Sequence, residues 1–231
     1  MIRRVAAVVV GTGGAAWALP ALAPRVAPLT RMLGVRDTLA EGDAAALTFD
    51  DGPHPEGTPA VLDALVAARV TATFFLVGEQ VERNPGLARE VIAAGHAVGI
   101  HAHRHRLPLR LTPRAFADDL ERARSAIAEA AGVEPRLYRP PYGKFSWPAL
   151  TIVRRSGLEP VLWSRDSRDW SRRARPDSIA GALTTDLRGG DVLLMHDSDA
   201  YSADGSHRRT VSALPRVIEA IRTRGLRLVA L

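Results

Sequence analysis

Short apolar runs alternate with longer amphipathic stretches through most of this chain. The apolar runs have the length of β-strands and lie at residues 44–49, 73–77, 96–100, 137–139, 159–163, 191–195 and 226–230. The amphipathic stretches have helical periodicity and lie at residues 58–68, 85–94, 113–131, 146–155, 176–186 and 212–223. Strands separated by single helices are typical of parallel βαβ units. The pattern therefore predicts an α/β domain over residues 44–231, built on either an open sheet or a barrel.

The beginning of the chain differs from this domain in character. A pair of arginines precedes residues 5–19, which carry no charge and are rich in valine, alanine and glycine. A basic start followed by an apolar stretch is typical of a bacterial export signal. Extended to Ala23, the apolar stretch is barely long enough to span a bilayer, and Pro20 interrupts it. We expect residues 1–23 to be a signal peptide or a membrane anchor, residues 24–43 to be a linker, and the protein to be secreted or anchored facing the cell wall.

Composition narrows the possible chemistry. The chain has no cysteine, which excludes disulfides, a thiolate metal site and a cysteine nucleophile. Its formal net charge is +6, but the arginines are scattered and no nucleic-acid-binding motif accompanies them. We therefore expect no nucleic-acid partner. An anionic cell wall or membrane surface is the partner that this charge favours, and the oligomeric state stays open.

Two adjacent carboxylates end the first predicted strand. Asp50 and Asp51 follow the apolar run and precede Gly52-Pro53, a strong chain breaker. Barrel-like α/β enzymes gather catalytic groups at this end of their strands. Because neighbouring carboxylates repel, the pair requires a cation or a shared proton. One carboxylate on a metal and one that accepts a proton from water is the simplest arrangement; an ordinary Asp-Asp-Gly turn is the alternative.

Other candidate side chains follow later strands. His101 and His105 lie four residues apart, so that on a helical turn they could face one way and bind one ion together with a carboxylate. Arg139 begins a rigid Arg-Pro-Pro-Tyr-Gly turn, and His196 ends an apolar run. A lone histidine is more often a structural residue, but the pairing of His101 with His105 and Asp51 favours a metal site.

These segments resemble, in order and spacing, the motifs of the NodB-type polysaccharide deacetylases, the carbohydrate esterases that remove acetyl groups from amino sugars or xylan. The matching segments are residues 48–53, 101–105, 139–143, 163–170 and 191–197, with a closing stretch at 211–231. The resemblance implies a distorted, incomplete (β/α) barrel and identifies residues 44–231 as a NodB-like catalytic domain.

The resemblance also implies a set of metal ligands. Asp51, His101 and His105 would bind a divalent ion, most simply zinc, although cobalt or another divalent ion also suits nitrogen and oxygen ligands. Two neighbours depart from or complicate the pattern. Ala102 stands where the family commonly has Ser or Thr, and His103 is interpreted as a packing or surface residue.

The resemblance implies further roles for Asp50, the aspartate that is not a metal ligand, and for the residues around it. Asp50 would be the general base, and Arg139 would keep it ionised and oriented. Pro141 and Tyr142 would lie at the substrate and oxyanion position. The backbone N–H of Tyr142 would stabilise the oxyanion, since Pro140 and Pro141 in the same turn have no N–H.

The last implied roles concern the leaving group and the acetyl methyl. His196 would be the general acid, oriented by a carboxylate for which Asp169 is the first choice and Asp166 the alternative. Trp170 and Leu194 would line the pocket for the acetyl methyl. The implied reaction is metal-dependent deacetylation of an N-acetylated polysaccharide, either peptidoglycan or a chitin-type glycan. A glycan-binding pseudoenzyme and an acetylxylan esterase are the alternatives.

Overall fold

A parallel β-sheet forms the centre of the protein. The computed structural model describes residues 17–25 and 27–231. The strands are β1 (Ala44–Asp50), β2 (Thr73–Leu76), β3 (Ala97–Ile100), β4 (Leu137–Tyr138), β5 (Glu159–Pro160), β6 (Arg165–Asp166), β7 (Val192–His196) and β8 (Arg227–Leu228). They are ordered β5-β4-β3-β2-β1-β7-β6, and β8 pairs with β1. All these strand pairings are parallel. Within the described part of the chain β5 and β6 do not pair, so the barrel is incomplete.

Helices connect the strands and cover the sheet. They are α1 (Ala27–Met32), α2 (Gly57–Ala68), α3 (Gly78–Arg83), α4 (Pro85–Ala93), α5 (Pro113–Ala131), α6 (Trp147–Arg155), α7 (Pro176–Thr184) and α8 (Ser206–Thr223). Short 3-10 helices lie at Leu19–Arg25, Pro108–Arg110 and Pro141–Gly143. Every residue of β1, β2 and β7 is buried, as expected for parallel strands whose two faces are both covered.

The observed elements differ from the predicted ones in five places. Helix α3 was not predicted, because only seven residues separate the end of strand β2 from Asn84-Pro85. Helix α8 begins at Ser206 instead of Ser212, since its first turns bury polar side chains that apolar periodicity does not reveal. The predicted strands at 159–163 and 226–230 are shortened to β5 and β8, and the two-residue strand β6 follows β5 unpredicted. Such short strands carry too few residues for a periodic pattern.

The segment predicted to be a linker contacts the barrel. The Arg36 N–H donates to Pro160 O at 2.9 Å, and the Leu162 N–H donates to Arg36 O at 2.7 Å. The Leu39 N–H donates to Gly190 O at 2.8 Å, and Val35 is buried in the core. Residues 27–39 are therefore part of the folded domain.

The predicted export signal falls mainly on residues 1–16, which lie outside the described residues. Of the residues that the structure does describe, none belongs to a helix with the length and apolar character needed to cross a membrane.

Candidate active site

The sheet register brings the candidate side chains to one edge. Asp50 is the last residue of β1 and lies level with His196, the last residue of β7. His101 directly follows β3, and Arg139 directly follows β4. Because these strands are parallel, their carboxyl ends meet at the same end of the barrel. Residues that are far apart in sequence are thereby assembled into one site.

Asp51, His101 and His105 form a compact group that could hold a metal ion. Asp51 Oδ1 lies 3.5 Å from His101 Nε2 and 3.4 Å from His105 Nε2. Ligands at about 2.0–2.2 Å from a tetrahedral zinc ion lie about 3.3–3.6 Å from one another. Asp51 Oδ1 is buried and has no hydrogen-bond partner. The spacing and the unpartnered oxygen both fit a cation at the centre of the group.

The protonation of the two histidines suits metal binding. His101 Nδ1 lies 2.8 Å from Arg139 O, so it carries the proton and donates it to this carbonyl, which leaves a lone pair on Nε2. Burial and the nearby charge of Arg139 lower the pKa of His101 to about 3. Burial and the neighbouring His101 lower the pKa of His105 to about 3. Both imidazoles are therefore neutral at physiological pH, as a metal ligand must be.

The histidine pair does not lie on a helical turn, contrary to the sequence-based expectation. Residues 101–105 are an irregular loop in which Ala102 has a positive φ of 67°. His103, predicted to be a packing or surface residue, is buried, and its N–H donates to Asp119 Oδ2 at 2.8 Å. This irregular loop brings both the His101 and His105 rings to Asp51, and the two ring centroids lie 5.3 Å apart.

Asp50 is held by a buried ion pair. Arg139 Nη1 donates to Asp50 Oδ1 and to Thr48 Oγ1, both at 2.8 Å, and Arg139 Nη2 donates to Leu162 O at 2.9 Å. Arg139 is fully buried, with its guanidinium carbon 4.0 Å from the centre of the Phe75 ring. Burial raises the pKa of Asp50, and the charge of Arg139 opposes this increase. The pair fixes the carboxylate beside the Asp51–His101–His105 group, and Asp50 Oδ2 lies 3.8 Å from His101 Nε2.

His196 is oriented by Asp169. His196 Nδ1 donates to Asp169 Oδ1 at 2.6 Å, and the His196 backbone N–H donates to Asp169 Oδ2 at 2.8 Å. The Thr210 hydroxyl donates to the same Oδ2 at 2.7 Å. Burial disfavours the charged imidazole, but the charge of Asp169 and its hydrogen bond outweigh this effect and raise the pKa of His196 to about 10. His196 is thus cationic, with Nε2 4.0 Å from Asp51 Oδ2. The Asp166 carboxylate instead accepts the Arg168 N–H at 2.8 Å.

A cleft of about 640 Å³ opens above these residues. Its walls include Tyr142, Trp170 and Leu194, together with the two carboxylates and three histidines already described. Tyr142 and Trp170 are about half exposed, and Tyr142 has a positive φ of 61°. Pro141, grouped with Tyr142 from the sequence, is buried and does not line the cleft. Arg139 and Asp169 also lie behind the cleft wall, where they contact Asp50 and His196.

A second histidine–carboxylate group lies outside the cleft. His54, Asp199 and His207 have ring and carboxylate atoms close enough to hold an ion. His54 Nδ1, however, accepts the Gly57 backbone N–H at 3.0 Å, so its Nε2 carries the proton and donates to Asp199 Oδ1 at 3.2 Å. This is the opposite tautomer to that of His101, and it leaves no lone pair on Nε2 for a metal. The group therefore joins two loops and does not fit a metal ion.

Sequence reasoning missed several side chains that shape the site. Thr48 and Thr210 orient Arg139 and Asp169, but threonines within a strand or a helix carry no motif of their own. Tyr201 lines the cleft and stacks on His105. It lies in a loop whose shape the sequence does not specify.

Comparisons with known proteins agree with the geometry. The profile of the polysaccharide deacetylase family matches residues 39–161. A chitooligosaccharide deacetylase of Bradyrhizobium sp. (strain ANU 289) is 39% identical over 190 residues, covering 78% of this chain and 84% of that protein. A peptidoglycan-N-acetylglucosamine deacetylase of Bacillus cereus (strain ATCC 14579) is 34% identical over 187 residues, covering 80% of this chain and 84% of that protein.

Structural similarity extends over more of the chain. The crystal structure of the Bc1960 peptidoglycan N-acetylglucosamine deacetylase superposes with a TM-score of 0.82 and 29% sequence identity, covering 90% of this chain and 95% of that one. The similarity confirms the distorted, incomplete (β/α) barrel predicted from the motifs. On the strength of the family profile and these relatives, the chain belongs to the polysaccharide deacetylase family.

Proposed function

We propose that this hydrolase of carbon–nitrogen bonds depends on a divalent metal and removes acetyl groups from an N-acetylated glycan, with peptidoglycan or a chitin-type glycan as substrate. The observation that carries the proposal is the arrangement of Asp50, the Asp51–His101–His105 group and His196 around one cleft. A general base, three ligands and a general acid are then all present. A glycan-binding pseudoenzyme of the same fold would be favoured by the loss of one of them.

The metal is proposed to be held by Asp51, His101 and His105. Zinc suits a group of two imidazoles and one carboxylate, although cobalt and other divalent ions suit it as well. When bound, such an ion supplies a Lewis acid that polarises the acetyl carbonyl and stabilises negative charge on its oxygen. The remaining chemistry is assigned to side chains and backbone groups of the chain.

Asp50 is proposed to act as the general base. Its carboxylate accepts a proton from the water that attacks the acetyl carbonyl, while Arg139 keeps Asp50 in place. The backbone N–H of Tyr142 donates a hydrogen bond to the oxygen that becomes negatively charged. The acetyl methyl lies against Trp170 and Leu194, which give the cleft its apolar wall.

His196 is proposed to act as the general acid. Its Nε2–H protonates the departing amine, because Asp169 keeps the imidazole charged through Nδ1. Without this proton the amine would have to leave as an anion. Asp50 and His196 lie at the ends of adjacent strands and line the same cleft, so the base and the acid can both reach a carbonyl bound there.

An Asp50→Asn variant tests the assignment of the base. The amide has nearly the same shape as the carboxylate but accepts no proton, so we expect acetate release to fall by about 10²–10⁴-fold. Metal binding, measured by titration calorimetry, should persist because Asp50 is not one of the three ligands. Near-full activity of Asp50→Asn would show that another group is the base.

Export of the chain is a further proposal, supported by the arginine pair and the uncharged stretch at residues 5–19. The net charge of +6 would favour contact with an anionic cell wall. Fractionation of the native host would test it, since a protein found in the cytoplasm would contradict export.

A further inference from the structure

His105 lacks the hydrogen bond that orients His101. His105 Nδ1 is buried and has no hydrogen-bond partner, whereas His101 Nδ1 donates to a backbone carbonyl. A histidine ring rotates about a broad torsional minimum when nothing restrains it. The orientation of His105 must therefore depend on the side chains packed against its ring.

Two tyrosines enclose the His105 ring. The Tyr201 ring is stacked on it, with centroids 4.4 Å apart and an angle of 16° between the planes. The Tyr142 ring approaches at 4.6 Å with an angle of 58°. Stacking of two nearly parallel rings restricts rotation of the imidazole out of its plane, and the tilted Tyr142 contact does so less.

The Tyr201 ring is itself fixed by its hydroxyl. The hydroxyl donates to Glu79 Oε1 at 2.7 Å and accepts from Gln80 Nε2 at 3.2 Å. Both partners lie in the first turn of α3. Tyr201 therefore rests on a helix and not only on its own loop.

The same helix turn holds the backbone between the two histidines. The Gly78 N–H donates to Ala102 O at 3.0 Å, and the Glu79 N–H donates to His103 O at 2.9 Å. The start of α3 thus fixes the loop that carries His105 and, through Tyr201, the ring of His105.

The loop that carries Tyr201 is tied down on both sides. Asp199 Oδ2 accepts the Gly205 N–H at 2.7 Å, while Asp199 Oδ1 accepts the proton of His54. The Ala203 N–H donates to Trp170 O at 3.1 Å. These bonds leave the Tyr201 ring little freedom to move away from His105.

We propose that Tyr201 is a positioning residue for the metal centre: its stacked ring holds the His105 imidazole with Nε2 directed at Asp51. This inference rests on the proposed role of His105 as a ligand. Groups that orient a metal ligand typically change metal affinity about 10–100-fold. Tyr201 is expected to act in the same way by ring packing, with no hydrogen bond to the imidazole.

The test compares Tyr201→Leu with Tyr201→Phe in the purified protein. Zinc affinity is measured by competition with a chromophoric chelator, and the visible absorption of the Co²⁺-loaded protein reports the geometry of the ligands. Tyr201→Leu should weaken zinc binding at least tenfold and change the cobalt spectrum. Tyr201→Phe keeps the stacked ring and the bonds of its loop but loses the hydroxyl bonds to α3. It should therefore bind zinc more weakly than the unchanged protein and clearly more tightly than Tyr201→Leu. Trp147→Leu, which removes an exposed aromatic side chain outside the cleft lining, is the control.

The zinc affinities and cobalt spectra of these variants decide whether the Tyr201 ring positions His105. Unchanged zinc affinity and cobalt spectrum in Tyr201→Leu would overturn the proposal, as would an equal loss in Tyr201→Phe. If Tyr201→Leu does not fold, Tyr201→Met replaces it, because Met fills the same space without a flat ring. Zinc affinity is measured without substrate, so this result does not depend on whether the protein is a deacetylase. If the unchanged protein binds no metal, the proposed metal site itself is refuted.

Discussion

At the scale of single residues, the site depends on charges that are buried in pairs. Arg139 and Asp50 are both almost completely buried and bind one another directly. Asp169 and His196 form a second such pair. A buried ion pair contributes little net stability, but removal of one partner leaves an uncompensated charge in a medium of low dielectric. We therefore expect the loss of one partner from either pair to have a measurable effect, on stability for Arg139 and on the pH dependence of activity for Asp169.

Replacement of Arg139 by Ala should lower the free energy of unfolding by about 3–5 kcal/mol, because Asp50 would remain buried without its partner. Urea denaturation followed by circular dichroism measures this loss. In the Asp50→Asn background the same replacement should cost less, since the uncompensated charge is gone. Arg208→Ala, which removes an exposed pair with Glu56, serves as the control and should have a much smaller effect. An equal cost of Arg139→Ala in both backgrounds would show that the ion pair is not the cause.

Replacement of Asp169 by Asn should shift the alkaline limb of the pH–rate profile. Asp169 raises the pKa of His196 to about 10, and a general acid works only below its pKa. Loss of the carboxylate lowers this pKa, so activity should disappear at a lower pH than in the unchanged enzyme. The profile of kcat/KM against pH measures the shift. Asp166→Asn is the matched control, and an alkaline limb that stays in place in Asp169→Asn would contradict the role of Asp169.

At the scale of elements, helix α3 supports the loop at residues 101–105, because the backbones of the helix and the loop are in close contact. A Cβ atom built on Gly78 would lie 2.5 Å from His103 Nδ1 and 3.1 Å from the His103 Cα. Such distances are shorter than normal packing allows. The glycine is therefore required here for the approach of the helix to the loop.

Gly78→Ala should lower the free energy of unfolding by about 1–3 kcal/mol through overpacking and should also weaken metal binding. Gly86→Ala, in the neighbouring helix α4, provides the control because a Cβ there meets nothing within 4 Å. That variant should instead raise the free energy of unfolding by about 0.5–1 kcal/mol. Urea denaturation and zinc titration distinguish the two variants. Normal zinc affinity in Gly78→Ala would separate α3 from the metal site.

The elements predicted from sequence are those with many periodic residues. Strand β1 is a run of seven buried residues and helix α5 has nineteen residues with an apolar face, so both were predicted close to their observed bounds. Helix α3 and strand β6 are too short to show periodicity, and their positions are set by contacts with other parts of the chain. The same reason explains why Tyr201 was missed, since only the folded loop brings it onto His105.

At the scale of the whole molecule, family and fold could be predicted because the motifs lie at strand ends in a fixed order. Alternation of strands and helices alone did not distinguish an open sheet from a barrel. The segment at residues 27–39 shows a limit of composition-based reasoning. It contains polar residues and Pro28, which are typical of a linker, yet Val35 is buried in the core and Arg36 pairs with the edge beside β5.

The central claim is that the assembled site performs metal-dependent deacetylation. The most direct measurement is acetate release from N-acetylated peptidoglycan and chitin oligomers by the protein after EDTA treatment, with and without added zinc. We predict no acetate release after EDTA treatment and recovery of release when zinc is added, with the better substrate identifying the glycan. Acetate release that EDTA does not reduce would contradict the metal site. The absence of acetate from every acetylated glycan, despite bound metal, would contradict the deacetylase and favour a glycan-binding protein of the same fold.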